Sequence, residues 1–291
     1  MRLLRYLIVC GSAAAMAGAV IFSGVTASTV AVPARASHAP SARFLAEARA
    51  ALAHYLRDHH PRAMLAPGRA RTIGNVKAFQ SYNWSGYVST SATHQAFTKV
   101  SGNWTTPSVT CNAEDQVTSN WVGLDGFNSN SIEQLGTVSW CYQGTATYYT
   151  WFEMYPASPV RVSTSLAPGD KIAASVTRSG TSYTLKLTDS THPANSFTKT
   201  ATCALTKCPD TSAEWVSERP SFSIGVAPLA HYNAFKITNG SQTNNGHTGT
   251  IGAGPGLNAV TMVDATGLYN LNTVSTLTGG NSFSTTWKNS Y

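Results

Sequence analysis

Two glutamates of this chain sit inside aromatic segments that alternate like strands, Glu153 in Trp151-Phe152-Glu153-Met154-Tyr155 and Glu214 in Ala213-Glu214-Trp215-Val216. A carboxylate set among apolar groups has its charged form disfavoured, which suits a group that must take and return a proton. A strand glutamate in a salt bridge or in water is the plainer alternative. Read with period two, Thr147, Tyr149, Trp151, Glu153 and Tyr155 share one face of a strand, and Tyr148, Phe152 and Met154 the other. A carboxylate between a Trp and a Tyr describes either the floor of a binding cleft or a solvent-facing strand with cross-strand aromatic pairs. In Ser131 to Val138, Ile132, Gln134 and Gly136 lie on one face and Glu133, Leu135 and Thr137 on the other. Glu133 and Gln134 therefore cannot both point into one cleft, and periodicity does not choose between them. In Ser212 to Glu218, Ala213 and Trp215 share a face, so Glu214 points the other way with Val216.

Other chemistries lack their residues. There is no Gly-x-Ser-x-Gly, no His-Glu-x-x-His, no phosphate-cradling glycine loop and no free Cys paired with a nearby His. The histidines after residue 77, His94, His192, His231 and His247, are scattered, and the cysteine spacings are not those of a zinc ribbon, so neither metal nor cofactor is expected. Residues 1–77 hold 10 of the 20 Lys and Arg but 2 of the 13 acids, leaving 10 bases against 11 acids in the rest. The basic character belongs to the leader, and a nucleic-acid partner loses its main support.

The elements that must position these residues follow a leader. Arg2 and Arg5 precede an apolar run from Tyr6 to Val25, with Ala34-Arg35-Ala36 as a small-x-small cleavage site and Val25-Thr26-Ala27 as an earlier alternative. This predicts a secretory signal peptide over 1–36, export, and no membrane association after cleavage. Over 37–77, Phe44, Leu45, Ala48, Leu52, Tyr55 and Leu56 are spaced for one helix face before His59-His60-Pro61 breaks the pattern, as in a pro-segment. Its positive charge, set against a cleft holding Glu153 and Glu214, makes it an expected inhibitor. From 78 to 291 a dozen short strands punctuated by Gly, Asn, Ser and Pro predict one all-β sandwich of two sheets. Arg178-Ser179-Gly180-Thr181 reads as a hairpin, and the polar stretch from Asn239 to Asn258 as a loop. Cys111, Cys141, Cys203 and Cys208 are an even set in an exported chain, expected to pair as Cys111 with Cys141 and Cys203 with Cys208.

Asn83-Trp84-Ser85-Gly86-Tyr87, Trp121 to Gly126, Gln134-Leu135-Gly136, Trp151 to Pro156, Pro168-Gly169-Asp170 and Ala213-Glu214-Trp215 stand in the order and approximate spacing of the eqolisin family of glutamic peptidases. The resemblance covers residues 79 to 275. It implies a concanavalin-like sandwich of two antiparallel sheets, made as a secreted precursor, that hydrolyses polypeptides as a monomer. It carries the family's catalytic pair onto Gln134 and Glu214, and cleft-lining roles onto Trp121, Asp125, Trp151, Glu153 and Tyr155. Two other functions would also set aromatic rings and acids on one sheet face: a carbohydrate-binding sandwich, and a retaining glycosidase with Glu153 and Glu214 about 5 Å apart. Neither explains the glutamine motif.

Overall fold

The computed structural model describes residues 59–291 apart from 69, 223 and 224; the expected signal peptide and the expected helix of the pro-segment lie outside the described residues. Among the described residues no helix is long and apolar enough to cross a membrane.

Strand is the dominant regular structure of this region, with only two short 3-10 turns, and it is arranged as a sandwich. One sheet has nine strands in the spatial order Arg71–Ile73, Val76–Ser81, Leu257–Met262, Trp84–Thr90, Ser212–Glu218, Gln116–Leu124, Ile132–Tyr142, Thr145–Tyr155 and Val160–Ser163. The other runs Phe197–Thr202, Ser182–Asp189, Lys171–Ser179, Phe97–Thr105, Ala234–Asn244, Phe283–Trp287 and Asn272–Val274, with His247–Thr250 added beside Ala234–Asn244. Neighbouring strands pair antiparallel, with one exception, Leu257–Met262 against Val76–Ser81. Between Val76–Ser81 and Trp84–Thr90, residues 82 and 83 carry the chain across the intervening Leu257–Met262 strand. The expected domain boundary at residue 77 falls inside Val76–Ser81.

Between the sheets, Val122, Leu124, Leu135 and Trp215 from the first pack with Val100, Trp104, Val176, Leu185, Phe235 and Ile237 from the second. Two indoles tie the layers by hydrogen bonds, Trp104 Nε1 donating to Thr137 Oγ1 at 3.0 Å and Trp215 Nε1 to the Ser101 carbonyl at 2.8 Å. The outer face of the first sheet is also apolar, built from Trp84, Val88, Trp121, Ile132, Val138, Trp140, Tyr149, Trp151, Val216 and Val260. A sheet apolar on both faces must be covered on both, which is why its central strands are buried end to end.

Two disulfides form, Cys111 with Cys141 and Cys203 with Cys208, as the spacing predicts. The stretch read as a loop is instead largely strand: Ala234–Asn244 runs on to a turn at Asn245-Gly246, both at positive φ, and returns as His247–Thr250. Asn-Gly is the dipeptide that a two-residue hairpin turn favours, and its polarity masked a paired but half-exposed ribbon.

Trp121 sets the spacing on the outer face. A Cβ placed at Gly136 would lie 2.2 Å from the Asn120 carbonyl oxygen and 2.6 Å from Trp121 Cβ, and one at Gly123 would lie 3.0 Å from Trp121 Cζ3. Gly136 is thus required by the close approach of the Asn120 carbonyl and the Trp121 Cβ on the neighbouring strand. Gly136→Ala is expected to cost about 3 kcal/mol or more, the scale of core overpacking, and to lower the thermal midpoint by roughly 6–12 °C. Calorimetry of the variant checks this; an unchanged midpoint would mean the backbone yields freely there.

Candidate active site

The strands Ile132–Tyr142 and Thr145–Tyr155 pair in a register that puts Gln134 opposite Glu153 and Gly136 opposite Trp151. On the outer face Gln134 Nε2 donates to Glu153 Oε2 at 2.6 Å, and both residues are buried. Gln134 Oε1 is buried without a partner. Glu133 points to the inner face, as the period-two argument requires. Trp151 stands edge-on to His59, with ring centroids 6.4 Å apart.

His59 comes from the segment read as pro-sequence. Its Nδ1 lies 3.2 Å from Glu153 Oε2, and its Nε2 lies 3.8 Å from Glu218 Oε1. Glu218 also accepts a hydrogen bond of 2.8 Å from Trp121 Nε1. Gln134, Glu153, His59 and Glu218 therefore form one connected set, braced by Trp121. Burial alone would lower the His59 imidazole, but the charges and hydrogen bonds of Glu153 and Glu218 outweigh it and push it up to about 10. Burial pushes the Glu153 carboxyl up, while the charge and hydrogen bond of His59 and the hydrogen bond from Gln134 pull it back.

Of the residues singled out in the sequence, Gln134, Trp121, Trp151 and Glu153 are brought together here. Tyr155 is half-buried and packs on the edge of the outer aromatic cluster. Asp125 is not part of the set, because its carboxylate is taken up by the backbone N–H groups of Asp210 at 2.7 Å and Thr211 at 2.9 Å and by the Ser131 hydroxyl at 3.2 Å. Glu214 is separated from it too. Its row in the sheet reads Glu214, Gly123, Gln134, Glu153, but the Trp121 ring lies over Gly123 and fills the gap. No hydrogen bond or ion pair among the described residues joins Glu214 to Gln134. Both of its oxygens are buried without a hydrogen-bond partner, and burial first, then the charges of Asp125 and Glu133, raise its pKa well above the carboxylate range. Sequence reading missed Glu218 and His59. Glu218 lies four residues beyond Glu214 on the same strand face, so period two could have offered it as an equal.

A second acidic cluster lies on the inner face. Oxygens of Asp125, Glu133 and Asp210 lie within 4.8 Å of one another, with the Tyr183 hydroxyl donating to Asp210 at 2.7 Å and Arg178 Nε 3.1 Å from it. Glu133 Oε1 is 3.0 Å from Cys208 Sγ. A disulfide sulfur carries no hydrogen, so that bond needs a protonated Glu133, in keeping with a pKa raised well above normal by burial and then by Asp125 and Asp210. Burial also raises Asp125, and pushes Asp210 up to about 7.

A family model described as the peptidase A4 family matches residues 82–287. Aspergillopepsin-2 of Aspergillus niger is 27% identical over 219 residues, which cover 65% of this chain and 75% of that protein. Scytalido-glutamic peptidase, solved with a peptide-based transition-state analogue, is similar at a TM-score of 0.59 and 23% identity, covering 71% of this chain and 98% of that one. SCP-B, a member of the eqolisin family solved with the tripeptide Ala-Ile-His, gives 0.57 and 23% over the same shares.

The inner carboxyls predict an acid-stable fold. Groups whose folded pKa is raised bind more protons folded than unfolded, so their contribution is full below the ordinary value near 4 and is lost as pH rises through about 7. The thermal midpoint is expected to fall between pH 4 and pH 7, and Asp210→Asn to flatten part of that slope. A midpoint that climbs over this range would contradict the assignment.

Proposed function

The chain belongs to the peptidase A4 family, the eqolisin glutamic peptidases, and is a peptide hydrolase; from that premise we propose that it is a secreted acid endopeptidase working through Gln134 and Glu218. The observation that carries the residue assignment is the bridge of His59 between Glu153 and Glu218, which marks the place where a peptide meets both carboxylates. The sequence motif put the general base at Glu214; the geometry supports Glu218, which His59 approaches together with Glu153, over Glu214, which lies beyond the Trp121 ring from Gln134.

In this mechanism a water accepted by the free Gln134 Oε1 gives a proton to ionised Glu218 as its oxygen attacks the scissile carbonyl carbon. The second N–H of the Gln134 amide, the one not spent on Glu153, donates to the developing oxyanion, a role whose loss typically costs ~10²- to 10³-fold in rate. The carbon–nitrogen bond then breaks as Glu218 returns the proton to the leaving amine, and no covalent enzyme intermediate forms. Glu153 holds the amide in its orientation. Export fits the signal-like leader and the two disulfides.

The pro-segment acts as inhibitor in the same reading, with His59 as the plug. His59 lowers Glu153 relative to an empty cleft, so docking is coupled to proton loss from Glu153 and weakens as pH falls. At the other extreme, docking is lost as pH rises through about 10.

Glu218→Gln is expected to keep the fold and lower cleavage of acid-denatured protein at about pH 4, near the ordinary glutamate pKa, by at least ~10³-fold. Glu214→Gln is expected to leave most turnover. A dead Glu214 variant beside an active Glu218 variant would return the base to Glu214. Purified precursor is expected to be latent near neutral pH and active on acidification, with His59→Ala active at neutral pH; a His59→Ala precursor as latent as wild type would remove the plug.

A further inference from the structure

Beyond His59 the chain runs through a groove that grips its backbone at almost every residue. His60 N–H donates to the Ser221 carbonyl at 2.8 Å, and the Ser221 hydroxyl donates back to the His60 carbonyl. Trp84 Nε1 donates to the Pro61 carbonyl at 2.8 Å. The Asn83 carboxamide is used twice, Nδ2 donating to the Arg62 carbonyl at 2.8 Å and Oδ1 accepting from Met64 N–H at 2.8 Å. Ala63 N–H reaches the Gly126 carbonyl at 3.2 Å, Tyr82 N–H reaches the Met64 carbonyl at 2.8 Å, and Ala66 N–H reaches the Gln80 carbonyl at 2.9 Å.

Side chains contribute little. His60, Arg62, Met64 and Leu65 are exposed, and Pro61 and Ala63 are the ones turned to the floor. Recognition of this kind is by strand addition, in which main-chain hydrogen bonds give affinity and sequence matters little. Asn83 and Trp84 are fully buried, and the recorded partners of Asn83 Nδ2 and Trp84 Nε1 are carbonyls of this segment. With the segment gone, two donors on the cleft floor stand without partners, and a buried donor left unpaired costs about 1–3 kcal/mol.

We propose that this groove is the track for the substrate on the C-terminal side of the scissile bond, with Asn83, Trp84, Gly126 and Ser221 reading its backbone. The inference rests on the peptidase reading above, since it takes the bond beside Glu153 and Glu218 as the one cleaved. The substrates it selects are unfolded or extended polypeptides with about seven residues after that bond, as counted from His60 to Ala66. Single amino acids or dipeptides on that side are poor substrates, and a substrate N–H is required at the places of Ala63 and Met64.

The test is a peptide series with a fixed N-terminal half and one to seven residues after the cleaved bond, read as kcat/KM with acid-trimmed protein. The value is expected to rise at least ~10-fold with length, because remote contacts are spent on turnover. An N-methyl group at the place of Met64 is expected to lose roughly 5- to 100-fold, the worth of one buried bond, and one at the place of Leu65 far less. Asn83→Ala is expected to narrow the gap between long and short peptides; because the N-methyl arm leaves the protein intact, a misfolded variant does not decide the matter. A flat series, a rise only on N-terminal extension, or equal losses at both N-methyl positions would overturn the proposal. If Glu218→Gln turns over like wild type while the length effect persists, the mechanism falls and the groove stands.

Discussion

Trp121 is the pivot on which the outer face of the first sheet depends. Its Cβ and the Asn120 carbonyl before it leave room only for glycine at 136, its ring lies across glycine at 123, and its N–H ends on Glu218. One side chain thereby does two things at once: it closes the row that would have joined Gln134 to Glu214, and it fixes the carboxylate that His59 approaches. The sheet can host such a site because its core-forming and site-forming residues alternate. Leu135, Phe152 and Trp215 look inward while Gln134, Glu153 and Glu218 look outward from the same strands.

That alternation made much of the protein legible from its residues. It separated Glu133 from Gln134, put Trp151 and Glu153 on the cleft side and Phe152 and Met154 on the core side, and anticipated a two-sheet sandwich. It could not choose between Glu214 and Glu218, which share a face; only the position of the Trp121 ring, a cross-strand matter, distinguishes them. His59 was read as the break after a helix, because nothing local says that a residue 94 positions away from Glu153 will lie against it. The Asn245-Gly246 turn was legible in principle, and was missed because a polar ribbon half-exposed at the surface looks like a loop.

Sparse acids gain importance from where they sit. Asp125, Glu133 and Asp210 lie inside the sandwich with a single arginine, Arg178, against Asp210, so the folded state favours their neutral forms. Glu153 and Glu218 lie on the opposite face with an imidazole between them. The same change in pH therefore acts with opposite sign on the two faces: acid relaxes what holds the segment in the cleft and strengthens what holds the sandwich together.

The parallel pairing of Val76–Ser81 with Leu257–Met262 bears on what removal of the segment before it would leave behind. Were the chain cut at the expected boundary after Lys77, Arg71–Ile73 would leave together with the start of its partner, and residues 78–81 would become the border of the remaining eight strands. Unpaired borders invite another chain to add itself, and short ones discourage it. Four residues, the last of them buried, offer little template, so such a cut would leave no sticky margin.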